Sequence, residues 1–131
     1  MEIVRILAAG LASYAFGAVW YMSLAKSWMA AADVEADETG RPQNAAGAMP
    51  YIIALVGSVI VAGMMRHVFS LSGIEGADKG LISGIGIGLF LVTPWIATNY
   101  GFAGRSRMLM VIDGGYATVG CGIMGFVLTL F

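Results

Sequence analysis

The chain has 131 residues, of which 59% are hydrophobic and 11% charged, with a net charge of −1 and a mean hydropathy of +0.83. A soluble domain covers its surface with about a quarter charged residues, so this composition excludes an ordinary water-soluble fold and points to lipid as the solvent. No basic stripe offers a footing for nucleic acid, and the single cysteine, Cys121, excludes an intrachain disulfide and a cysteine-rich metal centre.

The first uncharged run, Ile6 to Ala25, predicts a helix over about 3–25, with Arg5 within reach of the head groups and Trp20-Tyr21 as an interfacial aromatic anchor. It is longer than a signal-peptide core and lacks a small-residue cleavage site, so it reads as a retained span. After it, Ser27 to Ala32 suits a short interfacial helix that dips Trp28 into the membrane. Residues 33–44 form a polar loop. Its Asp33, Glu35, Asp37 and Glu38 lack the close oxygen spacing and internal glycine of a calcium loop, and no metal is expected there.

The second run predicts a helix over about 45–66, with Pro50 in its first turn, where a missing N–H does least harm. A join bearing Arg66, His67, Glu75, Asp78 and Lys79 follows, and His67 reads as a polar boundary residue. The third helix is expected over about 80–103 and the fourth over about 108–131. Each run is near or above the ~20 residues that cross a bilayer, and only helices satisfy their own backbone groups there. The expected fold is therefore an all-α membrane protein, a single domain of four transmembrane helices in two hairpins. Basic residues divide almost evenly between the two sides (Arg5, Arg66 and Lys79 against Lys26, Arg41, Arg105 and Arg107), so they do not set an orientation.

Small residues recur at four-residue spacing: Gly80, Gly84 and Gly88 in the third helix, and Gly114, Thr118 and Gly122 with Ala117, Cys121 and Gly125 in the fourth. Such stripes let helix backbones approach closely. There is also a faint internal echo. Tyr21, Lys26 and Ser27 match Tyr100, Arg105 and Ser106 in spacing, as a parallel two-plus-two repeat would produce.

The chemistry-bearing residue is Asp113, six residues past Arg107 in otherwise apolar sequence. A carboxylate there needs a partner, a wet recess or a proton. At 1.5 Å per residue it lies about 9 Å into the helix, a shallow depth that favours an ion pair with Arg105, Arg107 or Lys26. The other reading is a polar recess lined by Asp113, Asn99, Tyr100 and Tyr116 that takes a proton, a cation or a small polar solute. Pro94 is expected to kink the third helix and free a backbone carbonyl towards the same end of the bundle. No nucleophile–base pair, phosphate loop or dinucleotide fingerprint is present, so neither catalysis nor a cofactor is expected.

The segments Phe16 to Tyr21, Lys26 to Met29, Pro94 to Phe102 with Gly104-Arg105, Ile112 to Tyr116, and Met124-Gly125 together resemble the bacterial membrane-protein family called domain of unknown function 1761. The likeness runs from the first helix to the C-terminus. It departs at Met22 to Ala25, where a proline and a longer Phe-Gly stretch would be expected. The resemblance implies a four-helix bacterial membrane protein and brings no established substrate. Any shared site would involve Trp20, Tyr21, Lys26, Asn99, Tyr100, Arg105, Asp113 and Tyr116.

Two functions fit these readings. One is a small transporter or channel-like protein acting as an oligomer in a bacterial inner membrane, with Asp113 in the path. The other is an accessory or scaffold subunit that meets partner membrane proteins through its small-residue stripes.

Overall fold

The computed structural model describes residues 1–43 and 47–131. In chain order it contains α1 (Glu2–Ser23), α2 (Ala25–Ala32), α3 (Met49–Ser72), α4 (Ala77–Ile87), a π-helical turn (Gly88–Val92), α5 (Thr93–Phe102) and α6 (Arg107–Leu130). Helices α1, α3 and α6, and α4 to α5 taken together, are each long and apolar enough to cross a membrane. Such helices suit an integral membrane protein, because each closes its backbone bonds within itself.

Helix α6 is the centre of the fold. Its most apolar window is 44% buried, against 17–22% for the other three spans, and it contacts every other helix. Helices α4 and α5 lie along one side of it, α1 lies along another, and α3 packs chiefly on α1. The glycines that the sequence marks for close packing meet one another inside the chain. A Cβ at Gly84 would run into the Cys121 carbonyl, one at Gly88 into the Ala117 carbonyl, and those at Gly80 and Gly125 into each other's backbone. Gly122 makes room for Ile85 and Gly114 for Thr93. Contact at this range lets dispersion hold the helices together where no hydrophobic drive exists. Large side chains such as Phe90, Trp95 and Phe102 face outward, as lipid contact requires.

The buried core, comprising Ala9, Ala62, Met65, Phe69, Cys121, Met124 and Leu128, occupies one end of the bundle. A polar cluster caps that end: Arg66 pairs with Glu2, Arg5 approaches Glu2 at 3.4 Å, and the Arg5 guanidinium lies 5.9 Å from the centre of the Phe131 ring. At the opposite end α3 and α5 make next to no contact, and the bundle is open there.

Several boundaries differ from the sequence reading. The expected start of the second helix, at 45, falls outside the described residues, and among those described the helix begins at Met49. It then runs past 66 to Ser72, so Arg66 and His67 are helical; Gly73, in the left-handed conformation, ends it. The third helix begins at Ala77, after Gly76. Pro94 sits just after a π turn, in which the Thr93 N–H bonds the Gly88 carbonyl. The widened turn absorbs the proline, and the Thr93 hydroxyl reaches both the Gly88 carbonyl (2.7 Å) and the Gly114 carbonyl (3.1 Å).

Candidate functional site

At the open end, glycines on α1 and α6 make room for a group of aromatic side chains around Asp113. A Cβ at Gly115 would lie 2.9 Å from the Trp20 ring, so the indole rests directly on α6. Its Nε1 donates to the Ile112 carbonyl at 3.0 Å, one residue before the carboxylate. With α1 fixed in this way, Tyr21 donates its hydroxyl to Asp113 Oδ1 at 2.6 Å. Tyr100, from α5, donates to Oδ2 at 2.5 Å. Tyr116 lies one turn along α6 in the space left by Gly17, edge-on to Tyr21 (5.4 Å between ring centres) and stacked on Phe16 (6.1 Å). Trp28, from α2, meets Tyr21 edge-on at 6.5 Å.

The expected ion pair is not formed. Among the described residues, the ion pairs involve only Glu2 at the far end, and Asp113 is held by two neutral hydroxyls. The turn before α6 bonds to α2 instead. Arg105 donates to the Ala32 carbonyl at 3.2 Å and Ser106 to the Ala31 carbonyl at 2.9 Å. Those carbonyls are the negative end of a helix dipole, and they satisfy the guanidinium without burying it. Lys26 and Arg107 are exposed. Asn99 is exposed as well and lines neither recess around Asp113. One helical step of about 100° separates it from Tyr100, which turns it away from the cluster. Trp20 and Tyr21 point inward as ligands of α6, where the sequence suggested an interfacial anchor.

Asp113 and Tyr21 line two recesses. The outer one, about 470 Å³, is bounded by α1, α2 and the loop residues Gly40, Arg41 and Pro42, with Trp28 on its wall. The inner one, about 380 Å³, reaches into the bundle between α3 and α5, past Tyr100 and Tyr116 to Ser13 and Ser58. The loop over the outer recess is organised by Asp37. One of its carboxylate oxygens accepts the Thr39 hydroxyl (2.7 Å) and the backbone N–H groups of Thr39 and Arg41 (both 2.9 Å). These bonds, the Thr39 hydroxyl first, hold the Asp37 carboxyl below its usual range. Arg41 donates to the Tyr51 hydroxyl at 2.9 Å, which ties the loop to α3.

Sequence reasoning singled out Asp113, Tyr21, Tyr100 and Tyr116, which come together here. It missed Trp28 and Arg41 as parts of a recess wall, and no spacing pattern in α2 or in the loop signals them. Gly17 and Gly115 signal only the aromatics that they seat, Tyr116 and Trp20. Among the described residues, no group of three or more histidines, cysteines and carboxylates lies close enough to hold a metal ion. The arrangement is suited to binding: an anionic group with lone pairs to spare, aromatic walls and two adjoining spaces.

The family described as "Protein of unknown function (DUF1761)" matches residues 4–129, nearly the whole chain. No curated protein and no solved structure matches it.

Proposed function

We propose that this chain, which belongs to the DUF1761 family, is a small transporter or channel-like membrane protein that binds a solute at Asp113 and passes it between the two recesses. One observation carries the reading. The Asp113–Tyr21 pair lies on the wall shared by the outer and inner recesses, so a solute moving from one to the other meets the carboxylate. Asp113 is half-buried and has no cationic partner among the described residues, and an intramembrane carboxylate is costly enough to point to a functional pathway. The sparse contact between α3 and α5 adds a lateral opening to the inner recess.

The protein acts without covalent chemistry and as an assembly of copies, since four slender helices leave little room for a private aqueous path through one. A helical bundle suits a bacterial inner membrane better than the outer membrane, whose spanning proteins are closed β-barrels. The accessory-subunit alternative loses its main support, because the glycines proposed to meet a partner are filled by the chain's own helices.

The test is flux in liposomes. Wild-type protein is expected to carry a solute or ion that Asp113→Asn does not, with both proteins matched by size-exclusion profile and helical content. Equal flux from the two, or flux from neither across protons, monovalent cations and small amines, defeats the transport reading.

A further inference from the structure

We infer that the Asp113 recess takes a lipophilic organic cation, a substituted ammonium carrying apolar groups. This rests on the binding reading above and narrows it to a substrate class.

The charge of the site argues for a cation. Each Asp113 oxygen accepts one tyrosine hydroxyl, and a carboxylate oxygen has lone pairs for a further bond. The two hydroxyls orient the carboxylate without cancelling its charge. Arg105, in the turn before α6, is exposed and bound to α2. Arg41, on the rim of the outer recess, is also exposed, and its field is damped by solvent and salt in a way that the half-buried Asp113 charge is not.

The lining argues against a bare metal ion and for an organic one. Calcium takes six to eight oxygens at about 2.3–2.6 Å. Beside the Asp113 oxygens and the Tyr21 hydroxyl, this recess is lined largely by the apolar Ala18, Met22, Ala25, Trp28 and Pro42, too few oxygens for such a shell. Aromatic faces beside a carboxylate are the surroundings that attract substituted ammonium groups, through the negative face of the ring. Tyr21 and Trp28 stand edge-to-face on the same wall, so their rings present two different inclinations to the space. A volume of about 470 Å³ is ample for an ammonium bearing one phenyl ring and too large to grip a desolvated sodium ion.

The experiment measures binding of benzyltrimethylammonium to purified wild-type protein, against neopentylbenzene, its uncharged isostere. Four variants are compared: Asp113→Asn, Trp28→Leu, Arg41→Gln and Gly86→Ala, the last distant from the recess. Saturable binding of the cation but not the isostere is expected. It should weaken about tenfold or more in Asp113→Asn and several-fold in Trp28→Leu, strengthen in Arg41→Gln as a repelling charge leaves the rim, and stay unchanged in Gly86→Ala. Equal binding of cation and isostere overturns the inference, as does cation binding that Asp113→Asn leaves unchanged. Absence of cation binding, together with proton or sodium flux that depends on Asp113, overturns this inference and leaves the transport reading standing. Absence of both removes both. Trp28→Leu keeps the charge of the site, so the comparison survives if Asp113→Asn fails to fold.

Discussion

Tyr21 and Tyr100, from the first and third membrane-length helices, donate to opposite oxygens of the single carboxylate Asp113. The carboxylate therefore ties α1 and α5 to α6 at the end of the bundle opposite the main buried cluster. Removing either hydroxyl takes away a hydrogen bond to a charged acceptor, an interaction worth roughly 1.5–3 kcal/mol. Tyr21→Phe and Tyr100→Phe are each expected to destabilise the protein by about that amount, measured by reversible unfolding in mixed micelles. In an Asp113→Asn background the same changes should cost markedly less. Equal costs in both backgrounds would mean that the tyrosines stabilise by packing alone.

How much of this site the sequence discloses follows from the chemistry of Asp113. A carboxylate within hydrocarbon must be satisfied, which points to nearby polar residues as its partners, Tyr100 and Tyr116 among them. The ion pair was expected because Arg105 and Arg107 are close in sequence. Sequence distance, however, does not reveal that α2 folds back beside the start of α6 and offers its terminal carbonyls to Arg105 and Ser106. Tyr21, matched in spacing with Tyr100, read as a membrane-interface anchor. Its inward turn depends on Trp20 settling on Gly115, a contact across 95 residues that no local pattern encodes.

The glycine stripes give a contrast within one helix. Gly84 faces the Cys121 carbonyl at a distance that leaves no room for a methyl group, whereas Gly86 faces open space. Overpacking a tight contact costs about 1–3 kcal/mol, and Gly→Ala at an open helical site is neutral or gains up to about 1 kcal/mol. Gly84→Ala is therefore expected to lower the thermal midpoint in detergent, and Gly86→Ala to leave it unchanged or raise it. If Gly84→Ala instead leaves the isolated chain intact and breaks an assembly, the stripe serves a partner.

The helix count was legible because long uncharged runs have one solution in lipid. The π turn was not. Its cause is a combination, with Pro94 unable to donate, Thr93 able to bond two carbonyls, and Gly88 and Gly114 allowing α5 and α6 to close on that threonine. Thr93→Val keeps the shape and removes both bonds. A loss of about 1–3 kcal/mol is expected, with faster hydrogen exchange across Gly88–Val92. An unchanged exchange rate would show that the proline alone sets the turn.

Asp37 supplies a pH dependence outside the membrane. Its carboxylate form accepts the bonds from Thr39 and from the Arg41 backbone, which lowers its pKa below the usual aspartate value of 3.8. A group depressed in the folded state adds stability above its unfolded pKa and loses it as the pH falls through the folded value. The loop that places Arg41 and Pro42 over the outer recess is thus expected to hold its form from neutral pH down to about 4 and to loosen only below that. Carboxyl NMR of Asp37 should give a midpoint under 3.8. In Asp37→Ala the amides of Thr39 and Arg41 should exchange faster even at neutral pH, where wild type is protected. A midpoint at or above the usual value, or unchanged amide protection in the variant, would mean that the Arg41–Tyr51 bond holds the loop by itself and that Asp37 has no part in shaping the recess wall.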